Sequence, residues 1–162
     1  YYHKVQNEKH YRFLKIIQNL RESKTSANNN LQIEKTEVQP KQQTLDDELI
    51  EKITLGLKKL EQKDIFLDPN FKLAFVAKKL STNTAYLSQY FNQVMQKTFS
   101  EYLQELRIQY ILQKLIDTPH YRKYTMQAIA EEVGYKDANT FVRGFKKQTG
   151  LSPNYYIEEL KI

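Results

Sequence analysis

The 162-residue chain contains no cysteine. Disulfide scaffolds, thiolate zinc sites and cysteine nucleophiles are therefore excluded, and the absence is unremarkable for a reducing cytoplasm. Only four glycines are present, too few to build a loop that cradles phosphates. The histidines His3, His10 and His120 are scattered among polar residues, so no metal site and no cofactor are expected. No apolar run reaches the ~18 residues that cross a bilayer, and no signal-peptide pattern is present. Period-two alternation is nowhere sustained, which argues against a sheet and for an all-α chain. The carboxylates fall on polar helix faces without an acid–base pair or an activated nucleophile, so the chain is not expected to be an enzyme.

Charge is in moderate excess. Lys and Arg number 25 against 19 Asp and Glu, a formal +6 with a pI near 9.3. That surplus is compatible with a polyanionic partner but does not identify one. The chain starts at Tyr1 without Met, so it is expected to be a piece of a longer protein.

Residues 1–22 place Val5, Phe13, Ile16, Ile17 and Leu20 at helical spacing. Six basic residues within 1–24 (Lys4, Lys9, Arg12, Lys15, Arg21, Lys24) stand against Glu8 and Glu22. Two readings are open: a helix that packs on its own domain or a partner, and a juxtamembrane flank whose membrane segment lies upstream. Residues 23–44 are polar, lack aromatics and read as a flexible linker. Helical periodicity resumes at 45–63 with Leu49, Ile53, Leu57 and Leu60 on one face and Ile50 beside them. Thr44, Asp46 and Asp47 give that helix a start suited to its dipole. Asp68-Pro69 turns the chain, and a longer helix over about 100–117 ends at Pro119.

The last hundred residues repeat one phrase. Ala77–Leu87 reads AKKLSTNTAYL and is followed by Phe91; Ala130–Phe141 reads AEEVGYKDANTF and is followed by Phe145. Ala77 to Phe91 spans fourteen positions and Ala130 to Phe145 fifteen, so one residue has entered or left a turn. Beyond the Phe the offset holds at fifty-four, pairing Tyr102 with Tyr156. Each copy reads as a helix, a polar turn and a second helix with a buried aromatic, an arrangement that can address two adjacent major grooves of DNA.

The second copy is the clearer. Thr125 can cap the first of its helices, Gly134 can end it in a left-handed conformation, and Asp137 can cap the second. Phe141 and Phe145 form a core stripe, leaving Ala138, Asn139, Val142, Arg143 and Lys146 on the opposite face with Thr140 alongside. Asn pairs with adenine and Arg with guanine, so this face has an inventory for base readout. Lys146 and Lys147 suit phosphates, and Ser152-Pro153 starts a final helix.

Residues IAEEVGYKDANTFVRGFKKQTGLSPNYY resemble the C-terminal signature of the AraC/XylS family of bacterial transcription regulators: an Ile-Ala pair, a turn Gly, an aromatic-containing recognition helix with Phe-Lys-Lys, then Gly-x-Ser-Pro and an aromatic. The likeness extends more loosely over residues 66–162. It implies two helix-turn-helix subdomains, about 73–93 and 125–149, joined by the helix at about 100–117 within a DNA-binding unit over 45–162. It also implies double-stranded DNA as partner, with base contacts from Ala138, Asn139, Thr140 and Arg143 and, in the first copy, from Thr84, Ala85, Ser88 and Gln89. Phosphate contacts fall to Lys146, Lys147 and Tyr86. Eighteen helical residues span ~27 Å, near the ~34 Å between half-sites one turn apart.

The first copy departs from this signature. Ser81 stands where a turn glycine is common, Gln96 stands where the second copy has Gly150, and the helix TAYLSQYFNQV carries no Lys or Arg. It should contribute less salt-dependent affinity than the second. The competing reading is a helical protein-interaction module that has lost DNA binding. Such regulators commonly carry a sensory portion, here expected upstream of Tyr1, and act as dimers, to which residues 1–22 or an upstream domain could supply a contact. The expected location is the cytoplasm, or the cytoplasmic face of the inner membrane for a tethered parent.

Overall fold

The computed structural model describes residues 2–26 and 45–161, and all regular structure among them is helical. The helices are α1 (Tyr2–Ser26), α2 (Asp47–Gln62), α3 (Leu73–Lys79), α4 (Thr84–Gln93), α5 (Phe99–Asp117), α6 (Met126–Glu132), α7 (Ala138–Thr149) and α8 (Pro153–Glu159), with 3-10 turns at Ile65–Leu67 and Pro119–Lys123. α1 runs through Ser26 and so takes in the first four residues of the expected linker. Ser23 and Thr25 are accommodated because their hydroxyls bond back to the carbonyls of Asn19 and Arg21 within the helix. The rest of that linker, residues 27–44, and with it Thr44, lies outside the described residues.

Short polar residues start most of the helices. Asp46, Asn83, Thr98, Thr125, Asp137 and Ser152 each accept a backbone N–H from the first turn that follows, satisfying donors that the helix itself leaves open. At α5 the arrangement is reciprocal, with Thr98 bonded to the Glu101 N–H and the Glu101 carboxylate bonded to the Thr98 N–H.

Burial divides into two cores. The first gathers Ile53 and Leu57 of α2, Val76 and Ala77 of α3, Leu87, Tyr90 and Phe91 of α4, and Tyr102 of α5. The second gathers Ile108, Ile111, Leu112 and Leu115 of α5, Ile129 and Ala130 of α6 with Val133 just past its end, Phe141 and Phe145 of α7, and Tyr156 and Ile157 of α8. α5 therefore gives its N-terminal part to one core and its C-terminal part to the other, while Leu67 and Tyr110 pack against both. Removing a fully buried ring such as Phe91 or Phe145 should cost about 3–5 kcal/mol.

The duplication persists in detail. Tyr102 donates from its hydroxyl to the Glu61 carboxylate at 2.6 Å, and its counterpart Tyr156 donates to the Leu112 carbonyl at 3.2 Å. Both hydroxyls are pushed well above the ordinary phenol range, mainly by burial.

Arg107 of α5 is the one charged residue among the described residues that is buried, at 8% exposure. Its Nε donates to the Phe66 carbonyl at 2.8 Å and its Nη2 to the Asp68 carbonyl at 2.9 Å. The guanidinium also lies over the Tyr135 ring at 5.6 Å, so one side chain links the first subdomain's 3-10 turn to the second subdomain's helix turn. Burial lowers its pKa from the usual arginine value, without removing its charge.

α1 lies on the second subdomain. Phe13 and Leu20 enter that core, and Phe13 meets Tyr156 edge-on at 5.6 Å. His10 bonds Glu159 at 2.8 Å, Lys24 pairs with Asp117 at 3.0 Å, and Arg12 reaches the Gly150 carbonyl at 3.5 Å. These contacts pack residues 1–22 on their own domain.

Candidate nucleic-acid interface

Each copy turns from its first helix into its second through a residue with left-handed backbone. In the second copy this is Gly134 at φ +80°, in the first Ser81 at φ +53°. The hydrogen bonds around the two are the same: the Thr82 N–H reaches back to the Ala77 carbonyl at 3.0 Å, and the Tyr135 N–H to the Ala130 carbonyl at 2.9 Å. Ser81 and Gly134 are offset by fifty-three, whereas the caps Asn83 and Asp137 are offset by fifty-four. The extra residue of the second copy thus lies between Gly134 and Asp137. The pattern recurs past the second helices, where Gln96 at φ +54° matches Gly150 at φ +72°.

Along α7, Asn139, Thr140, Arg143, Lys146 and Lys147 are exposed, and Ala138 is half-buried. Val142, read from the sequence as part of this open face, is half-buried and packs against the second core. It borders the Phe141 and Phe145 stripe, and a β-branched side chain there leans onto the protein. Thr140 is tied to the cap: its N–H donates to Asp137 Oδ1 at 2.8 Å and its hydroxyl to Asp137 Oδ2 at 2.9 Å. Arg143 Nη2 in turn donates to the Thr140 hydroxyl oxygen at 3.5 Å. Asp137 is held below the ordinary carboxylate range, first by the Thr140 N–H and then by the Thr140 hydroxyl, with Arg143 adding to the effect. This chain of bonds steers the guanidinium along the open face of the helix.

On α4, Thr84, Ala85 and Tyr86 are exposed, Tyr86 at 48%. Ser88 and Gln89 are half-buried, and Gln89 bonds Gln93 at 3.4 Å. By the offset of fifty-four, Ser88 corresponds to the inward-leaning Val142 and Gln89 to Arg143. The same offset puts the exposed Asn92 and Gln93 in the places of Lys146 and Lys147. These two were not among the residues picked from the sequence, although continuing the repeat alignment one turn further finds them.

Between the subdomains runs an open cleft of about 610 Å³, lined by Ser100 and Gln104 of α5 on one side and Lys136, Arg143 and Lys147 on the other. Lys147 stands near Glu101, whose carboxylate is lowered chiefly by its bonds to Thr98 and further by that charge. Gly144 lets α7 approach α5 closely: a Cβ there would come within 2.5 Å of the Gln104 amide nitrogen.

Two helix-turn-helix units with open second helices, joined by one long helix, define a DNA-binding architecture of the paired helix-turn-helix class. A family model described as "Helix-turn-helix domain" matches residues 76–159, and the chain belongs to that family, whose AraC-type members carry two such units. The family is generally non-enzymatic. Over 84 residues the chain is 33% identical to the HTH-type transcriptional regulator YtdP of Bacillus subtilis, covering 52% of this chain and 10% of that protein. Over 83 residues it is 32% identical to the raffinose operon transcriptional regulatory protein RafR of Pediococcus pentosaceus, covering 51% of this chain and 28% of that one. The chain therefore spans under a third of the length of these relatives. Among solved structures, the C-terminal domain of AraT, a response regulator from Geobacillus stearothermophilus, superposes with a TM-score of 0.57 at 27% identity, over 67% of this chain and 84% of that one. The DNA-binding domain of AdpA, solved in complex with a target DNA, shares the fold at a TM-score of 0.52 and 19% identity, over 72% of this chain and 95% of that one.

Proposed function

We propose that this chain is the sequence-specific DNA-binding part of a transcription regulator, with α4 and α7 entering adjacent major grooves on one side of the duplex. The observation that carries the reading is the equivalence of the two helices: each is the second helix of its helix-turn-helix unit, turns its core stripe inward at an offset of fifty-four and keeps an open face beside it. On α7 the base-facing set is Ala138, Asn139, Thr140 and Arg143, with Lys146 and Lys147 toward phosphates. On α4 it is Thr84, Ala85, Ser88 and Gln89, with Tyr86 toward a phosphate. The uncharged α4 adds register and discrimination, and α7 supplies most of the electrostatic affinity. The regulators named above support this reading through what their names say of them.

The test is fluorescence anisotropy with genomic fragments across a salt series. A specific complex whose affinity falls steeply with salt is expected. Tight binding to a protein without a salt-sensitive DNA complex would refute it.

For the parent protein, we also propose self-association through the N-terminal region or an upstream domain. α1 commits Phe13 and Leu20 to the second core, so Tyr11 and Leu14, exposed at 68% and 51%, are the apolar residues a second copy would meet there. Attachment to the inner membrane rests on the basic, aromatic start of the chain alone; among the described residues no helix is long and apolar enough to cross a membrane.

A further inference from the structure

One exposed side chain makes three hydrogen bonds across the turn of the second copy. Gln127, the second residue of α6, accepts the Ala138 N–H on its Oε1 at 3.0 Å. Its Nε2 donates to the Lys136 carbonyl at 3.3 Å and to the Glu131 carboxylate at 2.7 Å. The two amide hydrogens have separate partners, and Glu131, one turn along α6, fixes the direction of the amide. Ala138 opens α7, so its N–H is one of the donors a helix cannot satisfy internally. Lys136 belongs to the stretch in which the second copy carries its extra residue. In the first copy the position of Gln127 is held by Ala74, which has no polar side chain, and the turn there is one residue shorter.

We infer that Gln127 is a positioning residue for the recognition helix α7. It holds the lengthened turn in one conformation and so fixes the rotation and depth at which Asn139, Thr140 and Arg143 are presented. Both of its amide hydrogens are engaged on the protein, so it does this without donating to a phosphate. The cap from Asp137 secures the third residue of α7 through the Thr140 N–H, whereas Gln127 secures the first, and together they leave the helix start little freedom. This inference rests on the DNA-binding reading above.

The experiment compares the wild-type chain with Gln127→Ala and with Gln127→Met, which keeps the length but removes the amide. Specific and non-specific duplexes are titrated at fixed salt and over a salt series. Amide exchange at Ala138 is followed by NMR without DNA. Both variants are expected to lose about 3- to 10-fold in specific affinity. Non-specific affinity and the salt slope should stay as they are, and the Ala138 amide should exchange faster while the thermal midpoint hardly moves. A parallel loss on both duplexes with a shallower salt slope would make Gln127 a phosphate ligand and overturn the inference. Unchanged specific affinity, or unchanged exchange at Ala138, would overturn it as well. A wild-type chain with no salt-sensitive complex would instead sink the DNA-binding reading, with the exchange measurement still deciding whether the tether exists.

Discussion

Arg107→Ala removes the buried link between the two halves of the molecule, and its cost can be worked from its contacts. Two charge-assisted bonds are lost, to the carbonyls of Phe66 and Asp68, and each such bond contributes about 1.5–3 kcal/mol. The contact over the Tyr135 ring adds about 0.5–1 kcal/mol. Part of the Asp68 carbonyl can be rehydrated, since that bond is only part-buried, so the lower ends of these ranges apply. The expected destabilisation is about 3–4 kcal/mol, measured by urea unfolding, with a thermal midpoint lower by roughly 10 °C for a chain of this size. Arg107→Lys should recover part of this, because one ammonium cannot serve both carbonyls with the same fork geometry. Arg107→Met, which fills the site but bonds neither carbonyl, should resemble Ala more than Lys. A loss below about 1 kcal/mol for Arg107→Ala, or equal losses for Lys and Met, would refute the argument that these bonds hold the subdomains in register.

Other substitutions test other links. Arg143→Ala should weaken specific binding by about 1–3 kcal/mol and relax preference at one base in a binding-site selection, whereas Lys147→Ala should weaken all sequences alike and reduce the salt slope by about one. Ser81→Gly and Gln96→Gly should each raise stability by up to about 1 kcal/mol in chemical denaturation, since both residues hold φ near +53°. Gly134→Ala should do the opposite by more than about 2 kcal/mol, because its Cβ would meet the Leu67 carbonyl at 2.5 Å and Arg107 at 2.7 Å. Asp137 is depressed in the folded state, so its contribution is complete above the ordinary carboxylate range and is lost as pH falls through the folded value. Acid titration of helicity should show this loss in the wild type and a flatter profile in Asp137→Asn.

Much of this fold can be read along the chain because its signals are local. Caps at Thr125 and Asp137, the glycines at 134 and 150, and the Phe141–Phe145 stripe each act within a few residues. The repeat then carries the reading across to the first copy, where Ser81 and Gln96 adopt the backbone that the glycines lead one to expect. What stayed hidden depends on partners distant in sequence. Arg107 stands between Leu106 and Ile108 in α5, where a charged residue reads as solvated, and its acceptors are main-chain carbonyls 41 and 39 residues away, which no side-chain pattern announces. Val142 lies at the edge of the apolar stripe, where helical spacing alone does not decide between solvent and core. For α1 the spacing defined an apolar face, but the surface that receives it is assembled from α5 and α8.

The placement of α1 also bears on the order in which the molecule can be made. His10 meets Glu159 across 149 residues of chain, and Arg12 meets Gly150 across 138. α1 consequently leaves the ribosome well before the segment that seats it, with Phe13 and Leu20 waiting uncovered until α8 has emerged. Closing contacts so distant in sequence is slow compared with forming the local helix pairs. A nascent chain stopped short of residue 150 has two folded helix pairs within reach but no place to bury α1, and it is in that interval that the apolar face of α1 is open to chaperones or to other chains.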